Sequence, residues 1–380
     1  MRPLRLALAV VLASAGTALA HHRQTPPLVA LTTTGDATLP RGAPPSRKAV
    51  AVVVDDGIAV VEPFRNPMLP TFAFTDGTNA APVISKNGRT VAWDSDADPL
   101  ASGVPGRQVL RRTRFGIQQV AVDPTGTSVN ATIDLAGVSV AFESTGDLAG
   151  TGTVGVTQVF FDRPGGLIQQ LSHGSGTSGH AALDLRGRFC AFDSTSDPDT
   201  GADTGIPQIW LADTLLGTAA PITAGAGASR LPAFANDGRL LVFESEAELD
   251  GDGHDTGVPQ VFAYDTREEK FARVTNDATG CTSPTTAHIQ RDWRVGYLCG
   301  GMAYFTMVLA NQRFLVDTAG GDTTRLVPQA DTHFVLVATS ADLIGGGTTP
   351  EHRVYMVNLF KRPPTSVASA VTWFSPPAAP

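Results

Sequence analysis

Cysteine is nearly missing from this 380-residue chain, at three residues, and charged residues make up only 17% of it. None of Cys190, Cys281 and Cys299 stands in a C-x-x-C pair, which argues against a structural zinc site and against a disulfide-stapled mini-fold. Lys and Arg (28) are outnumbered by Asp and Glu (36), leaving a net charge of −8. Such a surface repels phosphate backbones, so nucleic acid is not an expected partner. Catalytic signatures are also lacking. The eight histidines show no H-x-H or H-E-x-x-H spacing. The "HGSGTSGH" stretch at 173–180 has no Ser flanked by Gly at nucleophile-elbow spacing, and no Gly-rich loop leads into a helix as a phosphate site would need. What is plentiful is Gly (39) and Pro (27) beside 42% hydrophobic residues. That is the profile of many short strands joined by turns.

The first twenty residues, "MRPLRLALAVVLASAGTALA", read as an export signal. Arg2 and Arg5 give a positive start, Leu6 to Leu12 a short apolar stretch, and Ala18-Leu19-Ala20 a small-x-small cleavage site. The expected cut follows Ala20, and no later stretch resembles a membrane span. The mature chain is therefore expected to be periplasmic or secreted. Residues 21–47 read as a flexible Pro-rich linker, 48–363 as the folded body and 364–380 as a C-terminal tail.

The body repeats. "GRTVAWDS" from Gly88, "GVSVAFES" from Gly137, "GRFCAFDS" from Gly187 and "GRLLVFES" from Gly238 each run glycine, apolar strand with an aromatic, acid, serine. Their aromatics, Trp93, Phe142, Phe192 and Phe243, fall 49, 50 and 51 residues apart; weaker copies place Tyr297 and Val337 at the same position. A second motif ("RQVLRR", "TQVFFD", "PQIWLAD", "PQVFAYD", "RFLVD", "RVYMVN") follows 15 to 17 residues later in all six copies. Each unit reads as four strands, with Asn87-Gly88 and Asp237-Gly238 as hairpin turns between the first two. Strands this short cannot bury two apolar faces alone, so the sheets must stack on one another. The expected fold is all-β: a six-bladed β-propeller of four-stranded antiparallel sheets, its ring closed by an N-terminal strand or hairpin, with seven blades as the alternative. The sixth copy is short, and "KAVAVVVDDGIAVVE" at 48–62 is an apolar hairpin outside any copy, so it is expected to complete the sixth blade.

These residues, "VAFESTGDL…TQVFFD" and "CAFDSTSDPDTGADTGIPQIWLAD" above all, resemble the repeats of TolB-like six-bladed propellers of bacterial exported proteins, over about residues 80 to 360. Residues 21–47 are too few for the α/β domain that precedes the TolB propeller. The resemblance implies an envelope protein that binds a partner.

Three residue sets could carry chemistry. The loop "ELDGDGHDTGVPQVF" offers Glu248, Asp250, Asp252 and Asp255, and its sibling offers Asp197, Asp199 and Asp203. An EF-hand is ruled out by position, since Pro259 or Val261 falls where the bidentate glutamate belongs. No cofactor is expected; calcium is the one ion these loops suit, and a solvated structural loop is the preferred reading. The pairs Asp94-Ser95, Glu143-Ser144, Asp193-Ser194 and Glu244-Ser245 recur at one position in four copies. A carboxylate ring binding a cation or basic peptide is one reading, and local capping of each pair's own loop is the preferred one. Cys281 and Cys299 flank a hairpin in the fifth copy and are candidates for a disulfide, while Cys190 reads as a buried hydrophobe. Together these favour a non-catalytic exported propeller that binds a protein, peptide or glycan through loops at one end. The alternative is a propeller hydrolase or lactonase-like enzyme with a metal at the channel mouth.

Overall fold

The computed structural model describes residues 28–31, 49–54, 56–61, 71–122, 125–152, 154–163, 165, 167–250, 257–289, 291–318, 320–329, 334–344, 348–359, 364–369 and 371–374; the export signal and its cut after Ala20 lie outside them. Every regular element among these residues is a strand. Blade 2 shows the unit: Ser128–Ile133, Val140–Ser144, Gln158–Asp162 and Gln169–Gln170 pair antiparallel in chain order. Its second strand is buried along its whole length because it is covered on both faces. Val140 and Phe142 pack toward blade 1, while Ala141 packs toward blade 3. A strand sandwiched this way reads as an unbroken apolar run rather than an alternation.

Six such blades, of four or five strands each, form the propeller. A smaller three-stranded sheet (Val50–Val54, Gly57–Val61, Thr71–Phe74) completes the ring. Seven apolar cores lie between neighbouring sheets around the circle. First strands of consecutive blades touch one another, so they surround the axis and fourth strands lie outside. The repeat aromatics pair across second and third strands: Phe142 with Phe160, Phe192 with Trp210, Phe243 with Phe262 and Tyr297 with Tyr304, with ring centroids 6.0 to 6.3 Å apart. Burying one such ring contributes roughly 1.5–3 kcal/mol, which explains why this position recurs.

Closure differs in detail from expectation. Blade 6 is built from both chain ends, but its outer strand is Leu28–Ala30, which lies inside the segment read as linker and pairs with Thr348–Asn358. The hairpin at 48–62 does not join blade 6; it forms the separate three-stranded sheet wedged between blades 6 and 1. The tail is not free either. Thr365–Val367 adds a fifth strand to blade 5, and Thr372–Phe374 adds one to blade 4. All three additions cover an outer edge that would otherwise expose unpaired backbone groups.

The fifth copy was also misphased. Its second and third strands, Asp292–Cys299 and Met302–Met307, are joined by a tight Gly300-Gly301 turn with both glycines at positive φ. The long connection found in the first four blades is therefore missing, and "QRFLV" (Gln312–Val316) is the fourth strand, not the third. "TRLV" belongs to the first strand of blade 6, Thr323–Pro328. Cys281 and Cys299, directly opposite each other in blade 5, form a disulfide with Cα atoms 4.3 Å apart. Closing an 18-residue loop contributes about 3 kcal/mol by restricting the unfolded chain. Cys190 is a buried free thiol whose pKa burial pushes up.

Candidate functional site: the polar belt between blades

The recurring acid ends the second strand of each of the first four blades, and its partner lies in the next blade. Asp94 accepts the backbone N–H of Asn130 at 3.2 Å, and Glu143 that of His180 at 2.7 Å. Asp193 accepts that of Leu231 at 3.0 Å, and Glu244 that of Ser283 at 3.0 Å. All four donors sit in a bulge of a first strand with φ between 53° and 56°. The left-handed bulge turns the N–H out of its own ladder, and the neighbouring carboxylate satisfies it. Each acid thus latches one blade to the next, and Asp94 also pairs with Arg107 of its own blade's loop. The latch stops where Leu298 and Ala338 take the acid position in blades 5 and 6.

The serines do act locally. Ser144 accepts the Gly146 N–H and bonds Ser128 across the sheet; Ser194 and Ser245 repeat this with Ser196 and Ser178, and with Ala247 and Ser229. Ser95 accepts the Ala97 N–H. The Gln of the second motif fastens the crossover to the next blade. Gln158 donates to the Gly174 and Gly176 carbonyls and accepts from Ser172; Gln208 treats Gly225, Gly227 and Thr223 the same way.

One part of the belt has acid–base potential. His180 Nδ1 lies 2.6 Å from Asp193 Oδ2, and Glu143 accepts both the His180 N–H and the Asn130 side-chain amide, the latter at 2.9 Å. Burial raises the Glu143 pKa, against the pull of these hydrogen bonds and of the His180 charge. The His180 side chain remains 31% exposed. His180 is not among the site residues that the sequence pattern singles out; it lies in a first strand, Ser178–Leu183. The available signal was its alignment with Asn130 and Leu231, each two residues after the serine that opens its first strand, Ser128, Ser178 and Ser229.

Among the described residues the acids of the candidate metal loops form no tight group. Asp252 and Asp255 lie outside the described residues, and Asp250 forms an ion pair with Arg273 at 3.1 Å. Asp197 accepts the Asp199 and Thr200 amides and the Thr200 hydroxyl, and the Thr200 amide leads in lowering its pKa. Asp98 and Asp147 cap the matching loops of blades 1 and 2. Asp203 caps Gly205, and Asp199 is exposed. Among the described residues one grouping is tight enough for an ion, Asp277 with Cys281 and Cys299, and its two sulfurs are bonded to each other.

The architecture is that of a β-propeller, and comparison with known proteins agrees at that level. No family description matches the chain, nor does any curated protein. Among solved structures, an oligogalacturonate lyase in complex with manganese aligns over 87% of this chain and 92% of its own, with a TM-score of 0.58 and 10% identity. A prolyl endopeptidase aligns over 90% of this chain with a TM-score of 0.54 and 10% identity, and this chain spans 50% of its length. TolB from Agrobacterium tumefaciens aligns over 80% of this chain and 94% of its own at 16% identity, but its TM-score of 0.41 carries no argument. These likenesses speak to fold alone. No helix among the described residues is long and apolar enough to cross a membrane.

Proposed function

We propose that this is a non-catalytic binding propeller of the bacterial envelope, taking a protein, peptide or glycan on the end that carries the long loops between second and third strands. One observation supports the reading above others: each repeated carboxylate holds a backbone amide of the next blade, so the acids serve the ring. The remaining polar variety sits on exposed connections such as 197–202 and the exposed start of the following strand at Asp203, presented by a rigid scaffold. No ion is needed in this reading, and EDTA should leave the thermal melt unchanged. Immobilised mature chain, incubated with an envelope extract, tests it. The captured species should be lost with Asp199→Lys and Asp203→Lys but retained with His180→Ala.

A second reading rests on the His180–Asp193 pair beside the Glu143 carboxyl, which could move a proton for a hydrolase or lyase. Turnover of any member of a peptide, ester and oligosaccharide panel, abolished by His180→Ala, would replace the first reading with the second.

A further inference from the structure

The two ends of the ring differ in charge. The loop end carries the capping and exposed carboxylates, Asp98, Asp147, Asp197, Asp199 and Asp203 among them. The opposite end is formed by the turns between first and second strands and between third and fourth strands. Over blades 1 to 3 it is basic: Lys86, Arg89, Arg114, Arg163, Arg186 and Arg188 are all exposed there. Its acids are engaged. Asp134 and Asp184 are buried and cap their own hairpins through the Val138 and Arg188 amides, both at 2.7 Å. Asp162 lies 3.6 Å from Arg111, and Asp213 is 2.9 Å from Arg188.

Large apolar side chains stand among these cations at the tips of consecutive turns. Phe115 is 79% exposed in blade 1, Leu167 94% in blade 2, and Leu215 and Leu216 65% and 68% in blade 3. The tips belong to one continuous surface. Arg111 of blade 1 reaches the Val138 carbonyl of blade 2 at 3.0 Å, and Arg163 of blade 2 reaches Thr214 beside Leu215 at 3.4 Å. Arg114 lies over the Phe115 ring, 4.4 Å from its centroid. The equivalent blade 4 turn, "DTREEK", is polar, with exposed Glu268 and Glu269, so the patch ends there.

We propose that this face docks on an anionic lipid surface. The apolar groups are convex tips rather than the walls of a groove, so they suit insertion into a headgroup layer better than capture of a peptide. The exposed arginines of the same turns would meet lipid phosphates. On a chain of net charge −8, this segregation turns the basic end toward an anionic bilayer and the acidic loop end away from it.

Sedimentation of the mature chain with vesicles tests the proposal. Binding is expected to vesicles containing phosphatidylglycerol and not to phosphatidylcholine alone, weakening as salt rises. The combined variant Phe115→Ser, Leu167→Ser and Leu216→Ser should lose on the order of tenfold or more in partitioning. These side chains are exposed, so its melt should match the parent's. Independently of that variant's folding, Phe115→Trp should shift its emission to the blue on anionic vesicles, while Val154→Trp on the loop end should not. Unchanged partitioning of a folded triple variant would overturn the proposal, as would a shift at Val154→Trp instead. An equal Phe115→Trp shift with soluble polyglutamate would also overturn it and assign the face to an acidic peptide.

Discussion

The Glu143 carboxylate and the His180 backbone N–H, 2.7 Å apart, belong to different blades, and their hydrogen bond joins the two sheets at the His180 bulge. Removing the acceptor leaves two donors, the His180 N–H and the Asn130 amide, without it. Glu143→Ala should therefore cost roughly 1–3 kcal/mol in denaturant unfolding. A cost near zero would mean that water replaces the carboxylate.

Glu143 also gives a pH signature. Burial holds its pKa above the ordinary 4.5, so between that value and the folded one the native state binds more protons than the unfolded chain. Its contribution to stability is then greatest in acid and declines as pH rises through that window. Subtracting the melting temperature of Glu143→Gln from that of the parent, across a pH series, should give a difference that falls above 4.5 and then levels off. A difference that grows with pH would contradict the assignment.

Blade 1 lacks one bond that blades 2 to 4 possess. Ser172, Thr223 and Thr275 donate to Gln158, Gln208 and Gln260, but Ala121 stands at that place in blade 1, and Gln108 Oε1 is buried with no hydrogen-bond partner among the described residues. Ala121→Ser should supply the donor and raise stability by about 1 kcal/mol. A loss of stability by the same assay would show the fully buried Ala121 site to be too tight for a hydroxyl.

Ring closure depends on the N-terminal segments. A chain beginning at Ala49 loses the outer strand of blade 6 but keeps the three-stranded sheet, and should melt a few degrees below the parent. One beginning at Pro63 also loses Val50, Val52, Ile58 and Ala59 from two inter-sheet cores, and should melt far lower or be insoluble. Equal melting of all three chains would make these segments appendages.

The blades were legible because Trp93, Phe142, Phe192 and Phe243 occupy one structural position, and large buried residues cannot drift in phase without opening a core. The latch was only half legible. Its acceptors are side chains and recur as Asp or Glu, but its donors are backbone amides, so Asn130, His180, Leu231 and Ser283 share no residue type. Blade 5 was misphased because "QRFLV" resembles a third strand, while the Gly300-Gly301 turn had already shortened the preceding connection. Edge strands such as Leu28–Ala30 are three residues long and leave no periodicity to read. The His180–Asp193 contact escaped for a related reason, since its partners come from different strands of a bulged pair.

If the repeated acids hold the ring together, native-state hydrogen exchange reads that hold at single amides. In the parent, the Asn130, His180, Leu231 and Ser283 amides should be protected by the carboxylates of the neighbouring blades. In Glu143→Ala, protection should fall at His180 and stay at Leu231 and Ser283, whose acceptors are Asp193 and Glu244. Unchanged protection at His180 in that variant would contradict the latch and return Glu143 to the list of residues in need of another function.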